Sequence, residues 1–459
     1  MDNLQQIKHL VARAGFGLRF EDIPADENLS VKKMVNNLFK ASTANDTIAV
    51  ITENTDYAML VKGDIATKKM FLQAQRQQEK DLNLAWIKKM SSTDAQLQEK
   101  MTLFWHNHFA CRSQRAAFAQ QLNNIQRANA LGSFRTMLMQ VSQSPAMLQF
   151  LNNQQNQKGH PNENFARELM ELFTIGRGNY TEQDVKESAR AFTGWGFNKD
   201  GEFVMRRFVH DDGQKTFMGK TGNFTGEDII NALLERKETA HFISNKLYKY
   251  LVNETSDPEH VNAMADVFYT SNYEIKPLLE YVFTADWFYA DKNTGNLIKS
   301  PVELLVGLNR QFYISYQRPE VLLLFERALG QVLFYPPNVA GWPGGRSWID
   351  SSSLMYRIKI PSTLLNGGVI DFTGKADPED EAYIATLHNQ QQAVITKVQA
   401  EPDWDKFLNS IPHNTSKMDV AKFMLQPKLN NSLINTVIQA TDIKALAIEL
   451  VSTPEYQLT

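Results

Sequence analysis

The segment from Tyr335 to Asp350 holds three prolines (Pro336, Pro337, Pro343), three glycines (Gly341, Gly344, Gly345) and two tryptophans (Trp342, Trp348) in sixteen positions. Proline fixes φ and gives up its N–H, and glycine reaches conformations closed to other residues. This stretch therefore follows a rigid, non-helical path, and any helical architecture has to be broken and re-aimed around it. Each indole is a large apolar surface with one N–H to satisfy when buried. Two readings stay open: a structural clamp whose tryptophans plug a core, or one wall of a ligand pocket.

Elsewhere helical signals dominate. Thr93 to Gln96 has capping-box spacing ahead of Leu97, Met101, Phe104 and Phe109, and Ser144-Pro145 sets a cap before a first-turn proline. Pro161 starts a segment that Gly176 ends at a C′ position, and Thr181 to Asp184 starts another closed by Gly194. Further helices are expected near 4–14, 30–41, 57–91, 115–129, 226–236, 238–252, 258–270, 274–284, 301–315, 348–358 and 442–452. Asp200-Gly201 beside a partly alternating run predicts a small hairpin near 197–209. Three joints, at Ser144-Pro145, Ala285-Asp286 and Thr453-Pro454, look like one helix stopping as another begins. The fold class is mostly α: a compact multi-helix unit over 1–459, with halves 1–195 and 196–459 as the alternative division. The stretch 366–416 reads as an excursion from that core, a mobile arm or cover.

Composition enters through what it excludes. A chain of 459 residues with 43% apolar and 22% charged residues can bury a sizeable core, and its net charge of −3 supplies no basic field for nucleic acid. Cys111 is the single cysteine, so no intramolecular disulfide is available. No run approaches the length of a membrane span, and the first residues lack a basic region followed by an apolar one, which points to a cytoplasmic location, with a trimmed leader as the alternative.

Several stretches together resemble the bacterial family called "domain of unknown function 1800". They are His9 to Gly17, Trp105 to Phe109, Asn162 to Leu172, Tyr180 through Trp195, His210 to Phe217, Lys299 to Glu303, and the Pro/Gly/Trp segment. They span nearly the whole chain. The resemblance implies no activity, but it raises a partner and a route of co-export: genes of this family commonly neighbour one for an exported sulfatase-like protein. Phe173 stands where the family helix often carries a histidine, which weakens any metal site that needs a ligand there.

The candidate residues follow from spacing. On the helix from Pro161, Asn164, Arg167, Glu168 and Glu171 share a stripe of roughly a hundred degrees, with Phe165, Leu169, Leu172 and Phe173 opposite. Glu168 and Glu171 are candidate catalytic carboxylates, one held ionised by Arg167 and the other raised by repulsion to act as general acid. A solvated face stitched by Glu163, Arg167 and Glu171 is the structural alternative. Glu187 and Arg190 extend the network from the next helix. His210, Asp211 and Lys215 sit in a glycine-bearing loop suited to proton exchange and anion holding, or are an exposed polar turn.

His106 and His108 lie about 200° apart on a continuous helix, match no zinc spacing, and are expected to bind substrate or to be core or capping histidines. His108 and Cys111 could share a helix face. Arg13 to Gly17 reads as a helix stop with Gly15 at C′; a pocket role for His9 or Arg13 is the alternative that the family resemblance implies. There is no nucleotide or haem motif: Gly219-Lys220-Thr221 lacks the earlier glycine of a phosphate loop. No cofactor is therefore specified, and no metal is expected. The four segments carrying these residues, with Trp342 and Trp348 available for stacking, are expected to meet in one polar cleft. The leading function is acid–base or hydrolytic chemistry on a polar, saccharide-like substrate; the alternative is a non-catalytic binding or maturation partner of the sulfatase-like protein.

Overall fold

The computed structural model describes residues 2–23, 30–43, 46–52, 63–370, 396–397 and 399–459. The fold is mostly α, with short two-stranded antiparallel sheets. Local chemistry accounts for the helix boundaries. Asp64 caps Ile65–Ser92, Thr181 and Asp184 form a capping box on Glu182–Ala191, and Ser300 with Glu303 does the same on Pro301–Gln311, where Pro301 takes a first-turn position. The three joints hold: Ser144 closes Phe134–Gln143 and caps Pro145–Phe150, while Asp286–Tyr289 and Pro454–Gln457 are 3-10 turns that follow their helices.

The helices at Asn3–Ala14, Val31–Ala41, Ala116–Ala128, Gly226–Leu234, Lys237–Leu251, Pro258–Thr270, Ile275–Thr284 and Ile443–Val451 form where the pattern placed them. Val321–Leu329, Trp404–Ser410, Lys417–Met424 and Asn431–Gln439 were not anticipated. Each is short, and the last two open on a serine or asparagine cap that reads equally well as a turn.

Four corrections carry physical reasons. Thr93 caps no helix: its Oγ1 accepts from the Ala95 N–H, and Gln96–His108 starts behind it. The segment from Pro161 is not one α-helix but Asn164–Glu168 followed by a π-helical turn, Leu169–Phe173, which the Gly176 N–H closes on the Met170 carbonyl at 2.9 Å. Gly15 has φ −152°, so the left-handed residue after the first helix is Gly17, at φ +106°. Ser351–Asn366 starts later than 348 and runs through Pro361 to a left-handed Gly367. Of the 366–416 excursion, 371–395 and 398 lie outside the described residues. Its far end is anchored, with Ser315–Tyr316 paired to Ala400–Glu401 and Phe407 buried. The expected helix at 57–91 is described from Ile65 onward.

The hairpin is present, shifted two residues toward the N-terminus: Trp195–Phe197 pairs antiparallel with Phe203–Met205, and Gly201 turns it at φ +83°. A second hairpin pairs Lys215–Phe217 with Lys220–Gly222 through Met218 and Gly219, both at positive φ.

One cluster of buried apolar side chains runs from Ile7 to Tyr456. Inside it lies a charged pair. Glu99, 0% exposed, accepts from Arg127 Nε at 2.7 Å and from Trp86 Nε1 at 2.7 Å, and Arg127 is 1% exposed. Breaking such a pair leaves an uncompensated charge in the interior. Glu99→Gln is expected to destabilise the protein by about 3–5 kcal/mol in denaturant unfolding; a loss below about 1 kcal/mol would show that water reaches Arg127.

Candidate functional site

Three sequence-distant stretches meet at the C-terminal end of Gln96–His108. Asn107 grips the Trp342 backbone on both sides, accepting its N–H at Oδ1 (2.7 Å) and donating from Nδ2 to its carbonyl (3.3 Å). Gly341, at φ +80°, permits this: a Cβ there would lie 2.2 Å from Asn107 Oδ1. His106 Nε2 accepts the Phe334 N–H at 3.1 Å. His108 Nε2 donates to the Phe173 carbonyl at 3.2 Å, and its Nδ1 faces Lys246 Nζ at 3.2 Å. Lys246 also donates to the Leu172 carbonyl.

These contacts decide what the histidines can do. His106 and His108 are 3% and 4% exposed. Burial, then the charge of Arg127, pushes His106 down to about 3; burial, then Lys246, holds His108 well below the usual imidazole range. Both stay neutral at physiological pH and join segments together. Trp342 and Trp348 are buried too, Trp342 with its ring 5.7 Å from His106, so neither indole offers an open stacking face. Cys111 lies beyond the helix end and shares no helix face with His108; burial raises its thiol. His9 is buried against Phe288, and Arg13 is spent on main-chain carbonyls and Asn296.

The carboxylate stripe lies on the α-to-π segment. Phe165, Leu169 and Phe173 face the core, as the spacing required. Arg167 does not restrain Glu168 or Glu171; it makes a bidentate pair with Glu182 (2.8 Å to each oxygen) and reaches Glu163 at 3.2 Å. Glu171 is held by Arg177 (Nε at 2.9 Å) and by the Tyr180 hydroxyl (2.6 Å). The two candidate carboxylates are pushed apart. The Tyr180 and Arg177 hydrogen bonds lower Glu171. Burial, and then repulsion from Glu171, raises Glu168. Glu168 makes no side-chain hydrogen bond or ion pair among the described residues.

The His210 loop forms a separate network. Arg190 donates to Asp211 from Nε (2.7 Å) and to Glu187 from Nη1 (2.9 Å), and Lys215 Nζ donates to the Asp211 carbonyl at 2.6 Å. Glu187 accepts the Thr216 N–H, tying the second hairpin to Glu182–Ala191. His210 Nδ1 donates to the Thr193 carbonyl at 2.8 Å. The Arg190 hydrogen bond lowers Asp211, and burial lowers Lys215. Among the described residues no hydrogen bond or ion pair joins this network to the Glu168/Glu171 pair or to the Asn107 junction. The twelve candidates thus fall into three groups rather than one bonded cluster, and two cavities, one beside Lys8 and Lys299 and one beside Gln120 and Phe203, are lined by other residues. Among the described residues, no three His, Cys, Asp or Glu side chains are placed to hold a metal ion, and no helix is long and apolar enough to cross a membrane.

Sequence reasoning missed Asn107, Arg177, Tyr180 and Lys246. Asn107 was legible as the polar residue facing a glycine-rich loop; the others depend on tertiary placement. The family model described as "Protein of unknown function (DUF1800)" matches residues 9–458, and the chain belongs to that family. No curated protein and no solved structure matched it.

The buried histidines make stability depend on pH with a definite sign. His9 and His106, both lowered to about 3 in the folded protein, take up protons on unfolding between about pH 3 and 6.5, so stability is full above 6.5 and lost as pH falls. Each is expected to cost about 1 kcal/mol per pH unit in that window. Denaturant midpoints should stay nearly level between pH 7.5 and 6.5 and fall at 5.5 and again at 4.5, less so in His106→Gln; a flat profile would mean the imidazoles titrate alike in the folded and unfolded chains.

Proposed function

We propose that this member of the family is an enzyme performing hydrolytic acid–base chemistry on a polar, saccharide-like substrate, with Glu168 as proton donor and Glu171 as its ionised partner. The observation that supports the reading is the split pair: two carboxyls three residues apart, one held ionised by Arg177 and Tyr180 and one raised and left without a partner. Environments that drive two titratable groups apart are how acid and base roles are assigned. The pair also straddles an α-to-π transition, a helix irregularity frequent at functional sites.

In this reaction the scissile bond to a leaving oxygen breaks as that oxygen takes the Glu168 proton. A water forms the new bond and gives a proton to Glu171, and exchange with solvent resets both carboxyls. His210 and Asp211, tied to Thr193 and Arg190, move no protons in this scheme. The second reading, a binding partner of a sulfatase-like protein, draws on Phe208, which is 76% exposed beside the His210 network.

The test is a panel of glycosides and glycans assayed with the full chain across pH. Glu168→Gln should cut turnover at least about 100-fold while the melting temperature stays within about 2 °C, since general acid catalysis supplies roughly that much. Turnover should fall as pH rises through the raised Glu168 value and as it drops through the lowered Glu171 value. Full turnover in Glu168→Gln would sink the proposal. If Phe208→Ser then abolished co-elution with a sulfatase-like protein, the binding reading would take its place.

A further inference from the structure

Two stretches that carry the family resemblance, the one ending at Gly17 and the one starting at Lys299, take no part in the carboxylate chemistry, yet they meet around a cavity. It has about 50 Å³ of free space and is lined by Lys8, Arg19, Lys100, Lys299 and Arg310, with Glu303 the one acidic side chain. By the scale on which a single water needs about 10–15 Å³, that is room for a few waters or one small oxyanion. Lys8, Lys100 and Arg310 are buried and Lys299 partly so. Arg19 is neutralised by Asp22 and Glu21. Arg310 Nη2 lies 4.0 Å from Asp22 Oδ2, and the three lysines share one carboxylate, which is already committed: Glu303 accepts from Lys100 Nζ at one oxygen and from the Ser300 N–H (2.7 Å) at the other.

The lysines around this space carry more N–H groups than the hydrogen bonds they make, and Gln426 Oε1 and Thr459 Oγ1 on the same lining are buried without a partner among the described residues. An ammonium carries three N–H groups, but Lys100 spends one, on Glu303, and Lys299 spends one, on the Tyr456 carbonyl at 2.7 Å. Among the described residues the remaining N–H groups make no hydrogen bond, and the ammoniums lie over aromatic faces, Lys100 over Phe16 and Tyr250 and Lys299 over Tyr456. Arg310 gives Nη1 to the Ser91 and Thr93 carbonyls, and its buried Nε has no partner. Lys8 is satisfied by the Lys422 and Leu425 carbonyls, so it adds charge more than free donors. Unpaired positive charge and unspent N–H groups facing an enclosed space are both costly unless something acceptor-rich and negative occupies it. The electrostatics agree: burial, reinforced by Lys100, Arg357 and Lys8, pushes Lys299 down to about 7 despite Glu303.

We propose that this cavity binds one small oxyanion of the phosphate and sulfate class, held by Lys100, Lys299 and Arg310 with Lys8 as a further fixed charge. A tetrahedral oxyanion suits donors arriving from several elements: Gln96–His108, the residues just before Pro301–Gln311, and that helix itself. A planar carboxylate offers only two oxygens. Glu303 repels the guest, so the site favours an anion small enough to sit on the lysine side.

Titration calorimetry on the full chain tests this, with phosphate, sulfate, acetate and chloride at matched ionic strength and melting curves in parallel. Phosphate or sulfate should bind one per chain, saturably, and raise the melting temperature beyond chloride. Lys299→Met should weaken that binding at least about 10-fold, and Lys428→Met, whose ammonium pairs with Asp291 in solvent, should not. Should Lys299→Met fail to fold, Lys8→Met is read in the same way. No binding by wild type at about 10 mM of either oxyanion, unchanged binding in the cavity variants, or equal effects of acetate or chloride would each overturn the proposal.

Discussion

The Gln96–His108 helix is enclosed on nearly every side, and each polar side chain on it has to find its partner inside the protein. Gln96, Gln98, Glu99, Lys100, Thr102, His106 and His108 are all buried. A buried polar group without a partner costs about 1–3 kcal/mol, more when charged. Glu99 therefore fixes Arg127 and Trp86, Lys100 fixes Glu303, His106 fixes Phe334, and His108 fixes Phe173. Asn107, less buried, grips Trp342. Successive positions on one helix thereby hold elements hundreds of residues apart in sequence. The Pro/Gly/Trp segment is rigid enough to be held this way because its backbone, rather than a flexible side chain, receives the bonds.

That demand also separates structure from chemistry. A histidine whose ring nitrogens are both engaged in the interior cannot shuttle protons, and a tryptophan packed on that histidine cannot stack on a ligand. Most charged candidates are likewise consumed: Arg167 by Glu182, Arg190 by Asp211 and Glu187. Against that background Glu168 stands out, because its carboxyl is partly desolvated and has no partner among the described residues. A stabilising surface network has no use for such a group.

How much of this was legible follows from which signals are local. Caps and apolar periodicity belong to a few neighbouring residues, so the helix order, the Asp200-Gly201 hairpin and the inward set Phe165, Leu169 and Phe173 could be read directly. The π turn could not, since Leu169–Phe173 has the same period to the eye as an α-helix and differs by one widened loop of hydrogen bonds. Nor could the partner of Arg167, because Glu171 at i+4 and Glu182 on the next helix are both permitted by sequence, and only packing chooses. The Pro/Gly/Trp segment holds no α-helix before Ser351, as read, but it closes one 3-10 turn at Gly345–Trp348. Whether it plugged or opened a pocket turned on burial, which no local pattern reports.

The basic cavity was missed for a related reason. Lys8 lies in a run with Ile7, Leu10 and Val11, and Lys100 lies between Leu97 and Met101; on a helical wheel, a single lysine beside an apolar stripe reads as a side chain snorkelling to water. Here the stripes close over the ammonium groups instead. Replacing buried charges by apolar groups is often neutral or stabilising, so folding by itself gives no reason to enclose several cations around one carboxylate. Among the described residues the imbalances have opposite senses: in the cavity three lysines share one carboxylate, and on the Asn164–Phe173 segment the Glu168 carboxyl makes no ion pair. Neither completes the other, because Glu168 is on the Asn164–Phe173 segment and the lysines line a cavity bounded by the first helix and Pro301–Gln311. Each local imbalance is one that a guest of opposite or complementary chemistry would resolve, and neither guest depends on the other being bound.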